Sequence, residues 1–297
     1  MGVATRVIQG AQIASKMRAQ VKAKIDAIAA TTAARPSLGV IMVGDRKDSR
    51  LYVEAKGRAC LEVGITSVNR FFPMDVAQAD LLNQIAAFNA DASIDGILVQ
   101  LPLPPTIDEK AVIDAVLPTK DVDGLHPFNV GELSMRGRTP HFTACTPEGV
   151  LQLLDEEGIE LQGKVVVVLG RSDLVGNPVG MLLRKRHATV ISCHSRTGNI
   201  PMFVGMADIV ISACGVPRLV RGSWLKPGAV VIDVGINFVS DGGASSVVGD
   251  VCFDEAMGVA GAITPVPGGV GPMTIAMLMR NVSVAFERRI NSAGQHV

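Results

Sequence analysis

Short apolar runs rich in β-branched residues alternate with stretches of helical periodicity along most of this chain. The apolar runs predict strands at 38–44, 67–72, 95–104, 164–170, 188–193, 207–214 and 229–235. The stretches between them predict helices at 49–63, 77–90, 108–116, 147–157, 178–186 and 271–291. Because strands alternate with helices and most are apolar throughout, the pattern predicts an α/β fold with parallel sheets covered on both faces.

The length of 297 residues favours two domains over one. A long loop is predicted over 119–143, and its end is the best candidate for the boundary. The second domain's sheet looks complete before the last helix, so we expect that helix to pack back on the first domain. The predicted domains are therefore 1–143 with 272–297, and 144–271, the latter a Rossmann-like domain.

Composition narrows the function classes. The chain is 48% hydrophobic and 19% charged, which argues against disorder, and its formal net charge of zero gives no reason to expect a nucleic-acid partner. The five cysteines are scattered without a zinc spacing, so we expect buried, reduced thiols and no metal. No secretory leader or membrane-spanning run is evident, and we expect a cytoplasmic protein with no membrane contact.

The only tyrosine, Tyr52, lies four residues before Lys56. That spacing places both side chains on one face of the predicted helix at 49–63, where the phenol and the ammonium can share a hydrogen bond. Such a pair can hold a polar substrate and move a proton. A solvated helix face also carries such pairs, so the spacing alone leaves both readings open.

A glycine-containing turn follows the strand at 164–170. Gly170, Gly176 and Gly180 can allow close backbone approach, and the next helix offers its N-terminal amides to a phosphate. Ser172 stands where the dinucleotide motif G-x-G-x-x-G has its second glycine, so an ordinary strand–helix turn remains the alternative.

The strand at 188–193 ends in CHSRT. NAD-binding folds usually carry an acidic residue at this point for the ribose 2′-hydroxyl, whereas this chain has Ser195 and Arg196, with Arg171 in the glycine turn. Hydroxyl and guanidinium groups suit a 2′-phosphate, which favours NADP over NAD. Ser195 is the better candidate contact, since Arg196 can equally be a solvated charge.

Two later strands end in ACGVP (213–217) and DVGIN (233–237). A dinucleotide lies along the carboxyl ends of parallel strands, and Gly215 and Gly235 would let a nicotinamide and its ribose come close. Turn punctuation explains both glycines equally well. Ile236 is the one residue there that we predict to make a backbone contact.

The substrate side has its own candidates. Gln100 ends a strand before a proline-rich loop, where its amide can both donate and accept, unless it is a surface residue. Asp121 and Asp123 lie in PTKDVDGLHPFNVGEL, and either can bind an amino-pyrimidinone or cap its own loop. The segment TPVPGGVGPMT (264–274) can close over a flat ligand or serve as a domain linker.

Seven segments together resemble, in order and spacing, the bifunctional methylenetetrahydrofolate dehydrogenase/methenyltetrahydrofolate cyclohydrolase family. They are YVEAK, DGILVQLPLP, PTKDVDGLHPFNVG, GRSDLVGNPVG, CHSRT, DVGIN and PVPGGVGPMT. The resemblance spans about residue 7 to about residue 290, which leaves little room for an organelle presequence. It implies hydride transfer from 5,10-methylenetetrahydrofolate to NADP+, then hydrolysis of the methenyl product to 10-formyltetrahydrofolate, commonly in a homodimer.

The resemblance also implies residue roles. Lys56 matches the essential lysine of the hydrolysis step, Tyr52 the neighbour that orients the folate, Gln100 the partner that tunes the lysine, and Asp123 the carboxylate that grips the pterin. The remaining folate contacts implied are Val99, Leu101, Pro267, Gly268, Gly269, Val270, Gly271, Pro272 and Thr274. The implied NADP contacts are Gly170, Arg171, Ser172, Ser195 and Ile236.

The chemistry fits this set, since adding water to an iminium carbon needs a base and an unprotonated lysine can serve. Three rivals remain: a dehydrogenase-only relative of the same fold, a non-catalytic NADP- or folate-binding sensor, and another two-domain dehydrogenase such as a shikimate-type enzyme. The first lacks a use for Lys56, Gln100 and Asp123, the second for the complete polar set, and the third for the Pro-Gly-Gly-Val segment.

Overall fold

The computed structural model describes residues 4–241 and 244–294, which form two compact units. The three-stranded unit contains Ser15–Cys145 and the described residues from Ile275 onward. The six-stranded unit contains the described residues up to Ala14 and Thr146–Thr274. Each is an α/β unit with a parallel sheet, as the alternation of apolar runs and helical stretches predicts.

In the three-stranded unit, β2 (Ser37–Val43) lies between β3 (Thr66–Phe72) and β4 (Gly96–Val99), and both pairings are parallel. Every residue of β2 and β4 is buried, which explains their uninterrupted apolar sequences SLGVIMV and GILV. The third strand, β3, is an edge strand and is largely exposed, so it carries Asn69 and Arg70 as well as apolar residues.

Six of the described helices lie wholly or mostly in this unit. They are α1 (Gly10–Thr32), α2 (Lys47–Val63), α3 (Gln78–Ala90), α4 (Glu109–Asp114), α5 (Pro127–Ser134) and α10 (Val270–Gly294). As expected, most of α10 belongs to this unit. There Arg289 donates to the fully buried carboxylate of Asp95, with Nε–Oδ1 at 2.6 Å.

Local capping fixes the segment that leads toward Asp121. Lys120 donates from Nζ to the carbonyl oxygens of Phe88, Asn89 and Asp91, which end α3. Burial lowers the pKa of Lys120, while the nearby carboxylate of Asp91 raises it. The lysine therefore ties the chain just before Asp121 to the end of a helix.

The sheet of the six-stranded unit contains β1 (Arg6–Val7), β5 (Val165–Leu169), β6 (Thr189–Cys193), β7 (Ile209–Ser212), β8 (Val230–Asp233) and β11 (Ala262–Ile263). Its strand order is β1-β11-β8-β7-β5-β6, with parallel pairing throughout. Its helices are α6 (Cys145–Glu156), which begins at the last residue of the other unit, α7 (Gly176–Lys185), α8 (Ile200–Met206) and α9 (Phe253–Ala256). A 3-10 turn (Gly222–Trp224) and an antiparallel pair, β9 (Asn237–Asp241) with β10 (Ala244–Val248), complete its described elements.

Several elements differ from the sequence-based expectation. The sheet at 164–235 is not complete by itself, because β11 and β1 extend it beyond β8. The expected loop at 119–143 contains α5, which begins with Pro127 at a position where proline suits a helix. The strand expected over 95–104 ends at Val99.

The division into units also bears on the expected domain limits. The breaks at 145/146 and 274/275 lie within three residues of the expected ones at 143/144 and 271/272. The first strand, β1, falls within the range expected for the N-terminal domain but pairs with β11 of the six-stranded unit. Among the described residues, no helix is both long enough and apolar enough to cross a membrane.

Candidate functional site

Lys56 and Gln100 meet in the three-stranded unit. Nζ of Lys56 donates to Oε1 of Gln100 at 3.0 Å, and Nε2 of Gln100 donates to the Leu101 carbonyl at 2.8 Å. The backbone amide of Gln100 bonds to the Ile41 carbonyl at 2.8 Å, which fixes the glutamine at the end of β4. Gln100 is therefore not a freely solvated residue but a held acceptor for the lysine.

Tyr52 and Lys56 lie one turn apart on α2, and both side chains are half-buried. Val99, at the end of β4, is buried, and Leu101 just beyond it is half-buried. The structure thus places Tyr52, Lys56, Val99, Gln100 and Leu101 on one helix and the neighbouring strand end of a single unit.

The two aspartates of the 119–143 segment have different surroundings. The Asp121 carboxylate accepts from the backbone amides of Gly124, Leu125 and His126 and from Nδ2 of Asn129, at 2.8–3.2 Å. Burial raises the pKa of Asp121 to about 6, against the lowering effect of these hydrogen bonds. Asp121 is therefore the loop cap, and half-buried Asp123 is left as the candidate substrate carboxylate.

Cys145 and Asn281 brace the backbone beside Asp123. Nδ2 of Asn281, on α10, donates to the carbonyl oxygens of Val122 at 2.9 Å and Thr143 at 3.3 Å. The Cys145 thiol donates to the same Val122 carbonyl at 3.4 Å. Neither residue was singled out from the sequence, because both are distant from Asp123 along the chain.

The pKa of the Cys145 thiol is affected by burial and by two charged side chains of the candidate site. Burial raises its pKa, the Asp123 carboxylate raises it further, and the Lys56 ammonium lowers it. Burial also raises the pKa of Cys60, one turn after Lys56, to about 12, so these thiols are unreactive at neutral pH.

The glycine turn of the six-stranded unit joins β5 to α7. Gly170 has a φ of +117°, and a Cβ there would overlap the Ala213 carbonyl; a Cβ on Gly176 would overlap the Gly170 carbonyl. Gly180 differs from the expectation, because a Cβ there would meet only side chains at ordinary contact distance. Two of the three glycines are therefore required by close backbone approach.

Ser172 takes a specific role in this turn. Its Oγ accepts from the amides of Val175 and Gly176, at 3.2 and 3.4 Å, so the hydroxyl supports the start of α7 where the usual motif has glycine. The side chains of Arg171 and Ser172 are exposed. The turn thus presents a guanidinium and a hydroxyl to solvent.

The turn after β6 starts beside the glycine turn, since Leu169 of β5 is the register partner of Cys193 of β6. Nδ1 of His194 accepts from the amide of Arg196, which shapes the turn and leaves Ser195 and Arg196 exposed. Two exposed arginines and two exposed hydroxyls therefore follow adjacent parallel strands at the same sheet edge. Such a donor set fits the 2′-phosphate of NADP.

The ends of β7 and β8 carry the third part of the candidate cofactor site. Gly215 has a φ of +66°, and a Cβ on Gly235 would overlap the carboxylate of Asp250. Ile236 follows directly and is 40% exposed. The glycines are thus explained by backbone conformation and by a buried carboxylate, and Ile236 is accessible for a ligand contact.

The Pro-Gly segment before α10 is fixed within the six-stranded unit. The Gly268 carbonyl accepts from the amide of Ala11 at 2.9 Å, and a Cβ on Gly10 would overlap the Gly269 carbonyl. Oγ1 of Thr274 lies 2.9 Å from Oγ1 of Thr146. The predicted contacts Pro267, Gly268, Gly269, Val270, Gly271, Pro272 and Thr274 all lie here. This tethered segment is therefore not a loose linker.

Among the residues that the structure describes, no three His, Cys, Asp or Glu side chains form a group that could hold a metal ion. A cavity of about 220 Å³ in the six-stranded unit is lined by residues at or shortly before the starts of β5, β7 and β8, including Lys164, Asp208 and Lys226. It lies at the amino ends of the strands, away from the turns described above.

Family models match both parts of the chain. The catalytic domain of tetrahydrofolate dehydrogenase/cyclohydrolase matches residues 8–123, and the NAD(P)-binding domain of the same enzymes matches residues 144–290. A bifunctional protein FolD from Azoarcus is 48% identical over 294 residues, covering 99% of this chain and all of that protein. Bifunctional protein FolD 4, chloroplastic, from Arabidopsis thaliana is 50% identical and covers 95% of this chain and 79% of that protein.

Solved structures agree with these matches. The Trypanosoma brucei methylenetetrahydrofolate dehydrogenase-cyclohydrolase, solved with NADP cofactor and an inhibitor, is 42% identical with a TM-score of 0.93. The match covers 96% of this chain and 98% of the Trypanosoma brucei chain. The bifunctional enzyme from Campylobacter jejuni is 40% identical with a TM-score of 0.91, covering 96% of this chain and 100% of its own.

Proposed function

This chain belongs to the tetrahydrofolate dehydrogenase/cyclohydrolase family, and we infer that it carries both activities in one-carbon metabolism. It oxidises 5,10-methylenetetrahydrofolate to 5,10-methenyltetrahydrofolate with NADP+, and it hydrolyses that product to 10-formyltetrahydrofolate. The observation that carries the hydrolytic half is the hydrogen bond from Lys56 to Gln100, which holds an amine at a defined place beside the end of β4.

Lys56 is proposed as the group that accepts a proton from the attacking water during hydrolysis. Its hydrogen bond to Gln100 fixes the direction of the amine, and the anchored glutamine amide cannot rotate away without losing its own bond to the Leu101 carbonyl. The methenyl substrate is a cation, so it disfavours a second positive charge nearby and favours the neutral amine. Tyr52, one turn earlier, is proposed to orient the folate.

Asp123 is proposed to bind the amino-pyrimidinone edge of the pterin through paired hydrogen bonds. The assignment is supported by the engagement of Asp121 with three backbone amides and Asn129, which leaves it no comparable freedom. Val99 and Leu101 are proposed to flank the folate. We also propose the Pro267–Pro272 stretch and Thr274 as folate contacts.

The proposed cofactor contacts are Gly170, Arg171, Ser172, Ser195 and Ile236. Bound NADP+ supplies the hydride acceptor, and these residues bind and orient it. Arg171 and Ser195 follow register-matched strands, which supports a joint role in reading the 2′-phosphate. Gly170 and Gly176 let this turn pack closely on neighbouring carbonyl oxygens, which fixes the shape of the turn proposed to hold the pyrophosphate.

Domain limits, assembly and location are also proposals. We propose that folate binding resides in 1–143 with 272–297 and NADP binding in 144–271, with the first strand completing the latter's sheet. A cytoplasmic homodimer without a metal is proposed because the family is commonly dimeric and a formal net charge of zero gives no reason to expect a membrane or nucleic-acid partner.

The test is a coupled absorbance and product assay on the purified full chain. With methylenetetrahydrofolate and NADP+, we expect methenyl product to form and then decay to 10-formyltetrahydrofolate, with a slower reaction for NAD+. Methenyl product that accumulates without enzymatic decay would identify the dehydrogenase-only alternative. Ligand binding without any turnover would instead identify a non-catalytic sensor.

A further inference from the structure

Asp250 is a fully buried carboxylate that bonds to the chain at the ends of β7 and β8. Its Oδ2 accepts from the backbone amides of Cys214 at 2.8 Å and Gly215 at 3.1 Å, and also from the side chains of Ser212 and Cys214. Its Oδ1 accepts from Nδ2 of Asn237 at 2.9 Å. One side chain therefore accepts hydrogen bonds from two loops, at Cys214–Gly215 and at Asn237, which are 22 residues or more apart in sequence.

A second buried carboxylate holds Asp250 in place. Oδ1 of Asp233 accepts from the amide of Asp250 at 2.9 Å, and Oδ2 accepts from the amide of Val251 at 2.8 Å. Asp233 ends β8, so the segment carrying Asp250 is fastened to the sheet itself. The position of the Cys214–Gly215 backbone is thereby set by a chain of two carboxylates that begins in the sheet.

Two glycines leave room for these carboxylates. A Cβ on Gly235 would overlap the Asp250 carboxylate, and a Cβ on Gly249 would overlap the Asp233 carboxylate. Both glycines are adjacent in sequence to the loops that the carboxylates hold. The backbone of both segments thus leaves the space that the two carboxylates occupy.

The strand order indicates which half of the cofactor these loops face. The phosphate turn follows β5, and the candidate 2′-phosphate residues follow β6 on one side of it. The other side of β5 is β7 and then β8, whose ends carry Gly215 and Ile236. In a dinucleotide fold the pyrophosphate lies at the first turn, so the half opposite the adenosine, the nicotinamide, lies along β7 and β8.

We propose that Asp250 is a positioning residue for the nicotinamide half of NADP, acting through the backbone of Cys214–Gly215 and through Asn237 next to Ile236. The inference rests on the proposed function and goes beyond it, since Asp250 is fully buried and is not among the proposed cofactor or folate contacts. Hydride transfer requires the nicotinamide ring to be held in near contact with the donor carbon, so a loop displacement of a fraction of an ångström affects it strongly.

Asp250→Asn tests this role with little change of shape. Its amide oxygen can still accept from Cys214 and Gly215, but its NH2 group then faces the NH2 group of Asn237. Paired with Asn237→Asp, it restores a donor opposite an acceptor. The single variant should therefore disturb the loops, and the double variant D250N/N237D should largely restore them.

The readout is calorimetric binding of NADP+ and of adenosine 2′,5′-bisphosphate, which lacks the nicotinamide half. For D250N we expect the NADP+ dissociation constant to rise about 10-fold, as for one lost charge-assisted hydrogen bond, and that for the bisphosphate to change by less than about 2-fold. The double variant should return NADP+ affinity to within about 3-fold of wild type. Asp254→Asn, an exposed carboxylate four residues on, is the matched control.

Cyclohydrolase activity needs no cofactor and reports separately on folding. Equal weakening of both ligands in D250N, or unchanged NADP+ affinity, would overturn the proposal. If D250N does not fold, Asn237→Ala serves instead, because it removes only the hydrogen bond from Asn237 to Asp250. It should weaken NADP+ binding selectively, as D250N would. An Asn237→Ala variant without this selective loss would likewise overturn the role of Asp250. Wild-type protein that binds neither ligand would refute the proposed function instead.

Discussion

Nζ of Lys56 and Oε1 of Gln100 are 3.0 Å apart, and the glutamine is held on its other side by the Leu101 carbonyl. The amine is therefore aimed by a residue that is itself anchored to β2 through its backbone amide. A base held in this way retains its direction between turnovers, which favours proton transfer over the random encounters of a solvated lysine.

Lys56→Gln should abolish cyclohydrolase activity while leaving measurable dehydrogenase activity. An amide cannot take up the proton of the attacking water, and removal of a general base typically costs a factor of about 10²–10⁴. The measurement is decay of added methenyltetrahydrofolate, beside NADPH formation from the methylene substrate. Lys110→Gln, at an exposed position on α4, is the control, and hydrolysis that survives at the wild-type rate in the Lys56 variant would exclude the assigned role.

Asn281→Asp should weaken folate binding without touching the folate. The amide now donates to the carbonyls of Val122 and Thr143, and a carboxylate would set an oxygen against both. We expect destabilisation of about 1–3 kcal/mol and a higher KM for methylenetetrahydrofolate, because the backbone before Asp123 is no longer held.

The comparison is with Asn291→Asp, an exposed position further along α10. Steady-state kinetics and urea unfolding of the two variants give the answer. A variant at 281 that loses stability but keeps the wild-type KM would show that Asn281 supports the fold only.

The sequence predicted the buried strands well because their apolar character is continuous. All residues of β2 and β4 are buried, and nearly all of β5. Elements without such a signal were missed: β1 and β11 have two residues each and form only by pairing with an existing sheet. For α5, proline and glycine in its sequence suggested a loop, although Pro127 lies in the first turn.

One omission had a readable signal. Ala14, Met17, Val21 and Ile25 are buried on α1 at spacings of three or four residues, which is the periodicity of an amphipathic helix. The Lys and Gln residues between them are exposed and complete the amphipathic pattern, so the sequence could have predicted this helix.

The candidate site residues likewise divide into those that the sequence pattern reveals and those that only the folded structure reveals. Lys56 and Gln100 were found because each ends or lies on a recognisable element, and their hydrogen bond was not needed to find them. The sequence alone left Asp121 and Asp123 equivalent, since only the folded loop shows that three amides point at Asp121. Asp250 gave no signal, because the amides it binds are 35 or 36 residues away.

Asp121 should make the protein less stable as the pH rises from about 4 to about 7. Its folded-state pKa of about 6 lies above the ordinary value of 3.8, so the folded protein keeps this proton to higher pH than the unfolded chain does. Its contribution is fully present below about pH 4 and is lost as the pH passes the folded-state value. The size is on the order of 2–3 kcal/mol.

Asp121→Asn removes this titration, so the free energy of unfolding of wild type relative to the variant should fall across that pH range. Chemical denaturation at several pH values measures it. Asp75→Asn, at an exposed position, should give a curve parallel to wild type. If the Asp121 variant also runs parallel to wild type, the raised pKa is refuted.

Arg171→Ala should weaken NADP+ binding by about 10–100-fold and NAD+ binding by much less. The guanidinium is exposed on the turn after β5, beside the turn that carries Ser195, and the 2′-phosphate that it is proposed to bind is absent from NAD+. A hydrogen bond to a charged group is worth about 1.5–3 kcal/mol, which sets the expected range. Dissociation constants for both cofactors provide the measurement, and Arg184→Ala, exposed near the end of α7, provides the control. Equal losses for NADP+ and NAD+ would mean that Arg171 contacts a part common to both, and the preference for NADP would then have to come from the turn after β6.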